Sequence, residues 1–346
     1  MTSQNSLSIS KSSVLIAGAT GFMGQFLTAA SLHSGHSTYV LVRSTPICPS
    51  KAKIISSFED KGAVVLHGLI NDTDKMEKIL RKHKIDAVIS TVGGESILDQ
   101  IPLLHAIKTV GTVKRFLPSE FGHDVDRAEP VEPGLGMYLE KRKIRRVIEE
   151  YGIPYTYICC NSIASWPYFD NTHPSEVLPP LDQFQIYGDG TIKAYFVAGT
   201  DIGKFTMKVV DDVRTINKSV HFRPSCNFYD MNELAALWEK KIGRTLPRAT
   251  VTEHDLLSAA SENRIPESIV ASLTHDIFIK GCQVNYSIDG PNDVEVCSLY
   301  PEEGFRSLDE CFGDFVGRIN EKHISKDENA AANHVVEPLI VTATCA

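Results

Sequence analysis

Residues 13–24 read SVLIAGATGFMG, a short apolar run followed by glycines at positions 18, 21 and 24. Such a run favours a buried strand, and this glycine spacing is typical of the turn into a dinucleotide-binding helix. Gly18 would permit the tight turn, Gly21 the close approach of a pyrophosphate, and Gly24 the packing of the helix on the strand. The remaining turn residues that we expect to contact a cofactor are Thr20, Phe22 and Met23.

Outward from this turn, apolar runs alternate with helical patterns as far as residue 160. The strands are predicted at SVLIAGA, STYVLV, AVVLHGLI, DAVIST, KRFLP and PYTYICC, and helices are predicted from residue 22 and near 74–83, 97–110 and 136–151. Strands too apolar to have a wet face, alternating with helices, indicate a parallel sheet covered on both sides. We therefore predict an α/β protein with a doubly wound parallel sheet, a Rossmann fold, and a smaller C-terminal α/β substrate lobe.

The domain boundaries follow from where this rhythm changes. We expect a flexible N-terminus at 1–11, an NADP-binding domain at 12–160, and mainly a substrate-binding lobe at 161–320, with some strands returning to the sheet. The stretch 165–184, SWPYFDNTHPSEVLPPLDQF, is rich in proline and aromatic residues and is predicted to be a loop that folds over a site. Residues 321–346 lack an amphipathic period, which predicts a flexible C-terminal extension.

Composition narrows the classes of partner. The chain has 42% hydrophobic and 23% charged residues, which is typical of a folded globular protein, and a formal charge of -8 argues against nucleic acid or an anionic membrane as partner. The polar start MTSQNSLSISK has no apolar core of a signal peptide, and no segment approaches the ~20 apolar residues that span a bilayer. We expect a cytoplasmic protein that binds a small molecule.

Cysteine and histidine spacing predicts neither disulfides nor a metal site. The eight cysteines include no C-x-x-C pair, and the twelve histidines include no H-x-x-x-H pair. Zinc sites and disulfide frameworks of small secreted domains carry such signatures. We therefore expect reduced thiols and no bound metal.

The residue after the second strand predicts the choice of cofactor. An enzyme that uses NAD usually has an acidic residue there, whereas this chain has Arg43, whose guanidinium would bind the 2′-phosphate of NADPH. Lys51 either adds a second charge or is a solvated surface residue. At the carboxyl end of the fourth strand, Thr91, Val92 and Gly93, preceded by Ser90, are expected in the ligand crevice.

The helix near 136–151 carries a lysine within an apolar stripe. Met137, Ile144, Ile148 and Tyr151 share one face by spacing, and Lys141 falls on that face. Its ammonium group either extends to solvent or is functional, and burial would lower its pKa and make it a better base. The other basic residues of this helix are predicted to form a solvated face: Arg142, Lys143, Arg145 and Arg146.

Two further residues are candidates for chemistry near this lysine. Tyr138 precedes Lys141 by three positions, one fewer than the Y-x-x-x-K spacing of many short-chain dehydrogenases, so we interpret it as a substrate contact instead of an acid. His123 lies in PSEFGHD, just after the strand KRFLP, where a strand's carboxyl end would face the nicotinamide. A histidine in such a loop is either titratable and catalytic or structural.

The motifs GATGFMG, STVGG and RFLPSEFGHDV, with a lysine on the following helix, resemble those of a plant reductase family of atypical short-chain dehydrogenases. That family includes isoflavone, pinoresinol-lariciresinol and phenylcoumaran benzylic ether reductases. The segments RFLP (115–118), ICCN (158–161) and THD (274–276) are similar to the set found in members that act on flavan-3,4-diols, the leucoanthocyanidins. The resemblance covers the chain to about residue 320, and the C-terminal tail is similar as well.

The resemblance implies a function. It implies an NADPH-dependent reductase of flavonoid and proanthocyanidin biosynthesis that converts a flavan-3,4-diol to a flavan-3-ol such as catechin through a quinone methide. It also implies that Lys141 and His123 are catalytic, with Met137, Tyr138, Ser162 and His123 near the substrate. Lys141 would help to remove the proton of the 7-hydroxyl, and His123 would protonate the departing 4-hydroxyl.

Two other functions stay open at this point. The first is a sister reductase that acts on an isoflavone, a lignan or a benzylic ether. The second is a regulatory protein that senses NADP without turnover, for which an unreactive residue in place of Lys141 would be the sign.

Overall fold

The core of the protein is a parallel sheet whose strand order reverses at its first strand. The computed structural model describes residues 11–43, 48–164 and 180–319. In order across the sheet the strands are β3-β2-β1-β4-β5. Their bounds are β1 Ser13–Ala17, β2 Ser37–Val42, β3 Val64–His67, β4 Ala87–Ser90 and β5 Arg115–Leu117. The reversal between β1 and β4 opens a crevice at the carboxyl ends of these strands, so the predicted doubly wound fold is confirmed.

Helices cover both faces of this sheet because its strands are apolar on both. The helices of the first half are α1 Phe22–His33, α2 Pro49–Asp60, α3 Thr73–His83, α4 Gln100–Val110 and α5 Gly134–Glu150. In β1, Val14 and Ile16 face a core shared with α1 and α2, whereas Leu15 faces a second core shared with α3, α4 and α5. Side chains alternate along a strand, so one run of buried residues joins two cores.

The second half of the chain mixes short strands with helices. Its strands are β6 Thr156–Cys159, β7 Ser162–Ile163, β8 Phe184–Tyr187, β9 Ala194–Val197, β10 Lys218–His221, β11 Phe228–Tyr229, β12 Arg248–Val251 and β13 Asp293–Glu295. Its helices are α6 Gly199–Asp211, α7 Met231–Ile242, α8 Glu253–Ser261, α9 Glu267–Phe278 and α10 Val296–Leu299, and residues 308–319 are also helical. A third core around Trp238 and Phe312 packs these elements together.

Strands from the second half return to the parallel sheet. The strands β13, β10 and β6 pair in parallel in that order, and a parallel bridge between Phe116 and Tyr155 joins β6 to the edge at β5. The helix α6 packs extensively against α1 on the face opposite α3 and α4. Two of these three strands, β10 and β13, follow the candidate substrate loop in the chain.

Several details differ from the sequence predictions. The helix α2 was not predicted; Pro49 begins it, and proline is common at this position because its φ is already helical. The helix predicted from residue 97 begins at Gln100, and the one predicted from 136 begins at Gly134. The predictions for the first ten residues, for most of the loop at 165–184 and for the tail lie outside the described residues.

Two expectations from composition can be compared with the described residues. No helix there has both the length and the apolar character that crossing a membrane requires. The cysteines within the described ranges are free thiols.

Candidate active site

The turn after β1 can be built only with glycine at two of its positions. Gly18 has a φ of +84°, and a Cβ on it would lie 2.6 Å from the carbonyl oxygen of Thr91. A Cβ on Gly24 would lie 2.1 Å from the carbonyl oxygen of Gly18. Because real Cβ atoms do not approach other atoms so closely, α1 can pack against the turn only when residue 24 has no side chain. The sequence interpretation of these glycines agrees with this geometry.

The N-terminus of α1 offers backbone hydrogen-bond donors and positive potential to a ligand. Gly21 is its N-cap, no side chain caps the helix, and the first turn has no acidic residue. The amides of Phe22, Met23 and Gly24 have no carbonyl one turn earlier in the helix to bind, and the helix dipole adds positive potential. Together with the space that Gly18 and Gly21 leave, these donors fit the pyrophosphate of a dinucleotide.

The carboxyl end of β4 closes the crevice on its other side. Thr91 donates from Oγ1 to the carbonyl oxygen of Ala17 across 2.8 Å, and so fixes the glycine turn to β4. Ser119, after β5, donates from Oγ to the carbonyl oxygen of Val92 across 2.7 Å. A Cβ on Gly93 would meet no atom within 4 Å, so packing does not explain this glycine. Contact of these residues with a cofactor stays a prediction.

Arg43 directly follows β2 on the same edge of the sheet. In the pairing of β1 with β2, Ala17 lies opposite Leu41, so Arg43 is beyond the end of β1 and beside the glycine turn. Its side chain is exposed, and Lys51 lies in the first turn of α2, partly buried. This position suits recognition of a ribose phosphate, which likewise stays a prediction for both residues.

Lys141 points inward from α5. Its neighbours on the helix face, Ile144 and Ile148, are buried in the core, and its Nζ donates to the carbonyl oxygen of Glu120 across 3.1 Å. Burial lowers the pKa of Lys141, and the charge of Glu120 opposes this shift only in part. The sequence left open whether the ammonium group of Lys141 extends to solvent. The structure shows that it does not.

His123 and Tyr138 form a buried pair next to this lysine. The Nδ1 of His123 lies 2.6 Å from the hydroxyl of Tyr138, and His123 is 7% exposed. Burial, followed by the charge of Lys141, lowers the pKa of His123 to about 4, so the imidazole is neutral at neutral pH. Burial raises the pKa of Tyr138 well above its usual value, so the phenol keeps its proton.

A glutamine that the sequence reasoning missed links this pair to Ser162. Gln283 is 1% exposed, and its Nε2 lies 2.7 Å from the Oγ of Ser162 and 3.2 Å from the Nε2 of His123. Met137 packs against the cluster that contains Tyr138, and its sulfur lies 3.8 Å from where a Cβ on Gly94 would be. No periodic pattern marks Gln283, because it lies in a turn after α9 and reaches the site through the fold alone.

One prediction for α5 is wrong. Arg145 was expected on a solvated basic face, but it is 2% exposed and donates to both carboxylate oxygens of Glu120 and to Oδ1 of Asp124. Arg142 also turns inward, towards the carbonyl oxygens of Val125 and Ala128. Three acidic residues of the loop after β5, Glu120, Asp124 and Asp126, bind Arg145 and supply the counter-charges that the helix pattern alone did not reveal. Lys143 and Arg146 are exposed as predicted.

Asp124, Cys159 and His221 place potential metal-ligand atoms within 4.8 Å of one another. Two guanidinium groups already bind the carboxylate: Arg145 at 2.8 Å and Arg127 at 3.2 Å. Burial also raises the pKa of Cys159, so the thiol stays protonated. Because two positive charges already contact this cluster, it is better suited to joining the two halves of the chain than to binding a cation.

Comparison with known proteins agrees with this architecture. The model of the NmrA-like family matches residues 10–312. The chain is 64% identical over 338 residues to a leucoanthocyanidin reductase of Desmodium uncinatum, which covers 97% of this chain and 88% of that protein. It is 46% identical over 307 residues to the phenylcoumaran benzylic ether reductase IRL1 of Ginkgo biloba, which covers 88% and 99%.

Among solved structures, the binary complex of leucoanthocyanidin reductase with NADPH from Vitis vinifera is similar throughout the fold. It has a TM-score of 0.85 and 71% sequence identity, and the match covers 88% of this chain and 99% of that one. The family match spans both the glycine turn and the Lys141 helix. The chain therefore belongs to the NmrA-like family, within the group of plant reductases that contains these relatives.

Proposed function

We propose that this protein is an NADPH-dependent reductase that converts a flavan-3,4-diol to a flavan-3-ol. The observation that carries the proposal is the joint placement of Lys141, His123 and Tyr138 at the crevice, in a chain 64% identical to a leucoanthocyanidin reductase. The benzylic ether reductase is less similar, at 46% identity, and its match is 31 residues shorter, 338 against 307. The substrate class that we propose is thus a flavonoid. A small molecule agrees with the charge of -8, which argues against nucleic acid or an anionic membrane as partner.

Lys141 is proposed to act as the base. Its lowered pKa makes the neutral amine available nearer to neutral pH than on the surface. The amine takes the proton of the 7-hydroxyl, and the electron pair of the resulting phenolate moves through the ring and expels the 4-hydroxyl. The substrate becomes a quinone methide, and the protonated lysine later returns the proton to the ring oxygen.

His123 and Tyr138 are proposed to serve the departing hydroxyl. That oxygen takes one proton and leaves as water with the bonding electron pair of the carbon–oxygen bond. Nε2 of His123 lies 3.2 Å from the amide NH₂ of Gln283, so His123 can protonate this oxygen only after it takes up a second proton, whereas the hydroxyl of Tyr138 already carries its proton. Solvent then restores the proton, so that the reaction consumes one proton from water overall.

The glycine turn and Arg43 are proposed to hold the cofactor. When bound, NADPH supplies a hydride to C4 and is oxidised to NADP⁺. The amides at the start of α1 bind the pyrophosphate, and Arg43 selects for the 2′-phosphate. Lys141 is proposed to contact the cofactor as well as the substrate, while the glycine turn and Arg43 supply most of the cofactor's binding. We propose the cytoplasm as the location, which a fluorescent fusion in plant cells would test.

The test is NADPH consumption with a flavan-3,4-diol by the wild type, Lys141→Ala and His123→Ala, with the product identified by chromatography. We expect flavan-3-ol from the wild type and a loss of about 10²- to 10⁴-fold in each variant, since each group gives acid or base help of that size. NADPH affinity, measured by calorimetry, should be retained. Turnover of an isoflavone or lignan but not of the diol would favour a sister reductase, and no turnover at all would favour an NADP sensor.

A further inference from the structure

Gln283 is linked to two candidate substrate contacts of the site. It bonds to Ser162 directly and to Tyr138 through His123. Its buried side-chain amide makes hydrogen bonds to three elements: the loop after β5, β7 and β9. Within the described ranges, its side chain makes no hydrogen bond to the glycine turn or to the residues after β4. Its contacts are therefore made with the substrate side of the site alone.

The orientation of this amide is fixed by its oxygen. The backbone N–H of Tyr195 donates to Oε1 of Gln283 across 2.8 Å. If the amide were flipped, its NH₂ group would face that N–H at the same distance, and two donors would oppose each other. The backbone of Gln283 is also held, because its carbonyl oxygen accepts from Arg223 across 2.8 Å. The NH₂ group therefore faces Ser162 and His123.

The fixed amide determines which nitrogen of His123 carries the proton. Nε2 of His123 lies 3.2 Å from the amide NH₂, so it must be the acceptor, and the proton must be on Nδ1. A neutral imidazole is required for this, in agreement with the pKa of about 4 that burial gives His123. The Nδ1–H then donates to the hydroxyl oxygen of Tyr138 across 2.6 Å.

These hydrogen bonds determine how the hydroxyl groups of Tyr138 and Ser162 can bind a substrate. The oxygen of Tyr138 accepts from His123, and its own O–H has no acceptor among the described residues. The oxygen of Ser162 accepts from Gln283, which leaves its O–H free to donate in the same way. Tyr138 is buried, and a buried hydroxyl with an unmatched proton is costly unless a ligand accepts it, whereas Ser162 is half-buried.

We infer that Gln283 is a positioning residue that fixes the tautomer of His123, which presents Tyr138 to the substrate as a hydrogen-bond donor, and that its direct bond to Ser162 does the same for that hydroxyl. The ligand groups that they meet are acceptors, namely ether oxygens or hydroxyl oxygens such as the one that departs. This inference rests on the proposed function for its effect on catalysis, but the tautomer itself does not depend on any substrate.

The first test is made on the wild type, and a variant serves only to assign the signal. In protein labelled with ¹⁵N only in histidine, long-range ¹H–¹⁵N correlation spectra distinguish protonated from unprotonated ring nitrogens, and His123→Gln assigns the signal. We expect Nδ1 protonated and Nε2 unprotonated at neutral pH. The opposite tautomer, or a doubly protonated ring, would overturn the inference, whatever the enzyme's substrate proves to be.

The second test replaces the donor by an acceptor. In Gln283→Glu a carboxylate faces Nε2, so we expect the proton on Nε2, a fall in kcat of about tenfold or more, and unchanged NADPH affinity. The same change at an exposed glutamine of β8, Gln185→Glu, is the control and should leave all three unchanged. An unaltered tautomer or kcat in a folded Gln283→Glu would contradict the positioning role.

If Gln283→Glu does not fold, Gln283→Met keeps the volume and removes the donor, and the same measurements apply. If neither variant folds, the wild-type spectrum decides. A wild type with the expected tautomer but no turnover of a flavan-3,4-diol would refute the proposed function and leave the tautomer assignment intact.

Discussion

Lys141 is tied to Glu120 by a hydrogen bond of 3.1 Å from its ammonium group to the backbone carbonyl oxygen. This bond holds the lysine of α5 against the loop that follows β5, within the same loop that carries His123. A base held in this way needs no reorientation before it reacts.

Lys141→Met keeps most of the side-chain volume and removes the amine. We expect kcat to fall by about 10²- to 10⁴-fold while NADPH affinity is retained, because proton transfer is lost and the glycine turn is untouched. Steady-state kinetics and calorimetry measure the two effects. Lys143→Met, an exposed change on the same helix, is the control. Full activity in Lys141→Met would exclude the lysine as base.

Arg43→Ala should change the choice of cofactor. A hydrogen bond to a charged group contributes about 1.5 to 3 kcal/mol, so NADPH affinity should weaken by roughly 10- to 150-fold while NADH affinity stays the same. Calorimetric titration with both dinucleotides measures this, with exposed Lys53→Ala of α2 as control. Equal affinity of the wild type for NADPH and NADH would contradict the role of Arg43.

Gly24→Ala should damage the glycine turn. Its Cβ would lie 2.1 Å from the carbonyl oxygen of Gly18, so α1 must move away from β1, at a cost of about 1 to 3 kcal/mol. We expect a lower melting temperature and weaker NADPH binding together. Gly313→Ala is the matched control, since a Cβ there meets no atom within 4 Å. Equal behaviour of the two variants would show that the turn adapts freely.

Arg145→Met should destabilise the fold more than any exposed change on α5. It leaves the carboxylate of Glu120 buried without its partner, which costs about 3 to 5 kcal/mol. Urea unfolding measures the loss. Arg146→Met, at a residue whose side chain is 57% exposed, should change the free energy of unfolding by less than about 0.5 kcal/mol. Adding Glu120→Gln to Arg145→Met should recover part of the loss.

Acid should destabilise the protein in part through His123. Its pKa is about 4 in the folded chain and has a reference value of 6.5, so the unfolded state binds the proton more readily. The stabilisation is present above the reference value and is lost as the pH falls through the folded value; for complete titration it amounts to about 3 kcal/mol. His123→Gln should therefore lose less unfolding free energy between about pH 7 and pH 4 than the wild type. The exposed His254→Gln should behave like the wild type.

The sequence predicted the first half of the fold well because its signals are local. An apolar run, Gly18 and a helical period are all read within a few residues, and β1 and α1 lie where these predict them. Spacing placed Lys141 on the same face as Ile144 and Ile148 but left open whether its ammonium group extends to solvent. Helix α2 was not predicted because its residues have little apolar periodicity and its N-cap residue, Cys48, gives no capping hydrogen bond.

The rest of the site depends on contacts distant in sequence. Gln283 meets His123 across 160 positions, and Arg145 meets Glu120 across 25. A basic residue on a helix appears solvated until the loop that faces it is known, and Arg145 was misassigned for this reason. Such pairs carry no periodic signal, so only the three-dimensional structure reveals them.

The return of β10 and β13 to the parallel sheet limits how this chain can be recombined with its relatives. Residues 218–221 and 293–295 form strands beside β6, so a crossover at residue 160 would separate β6 from its neighbours. A chimera that exchanges only the substrate side must keep these two short segments from the same parent as the glycine turn. Substrate preference should therefore transfer when three separate segments are exchanged: the one before β10, the one between β10 and β13, and the one after β13. Exchange of a single C-terminal block should not transfer it.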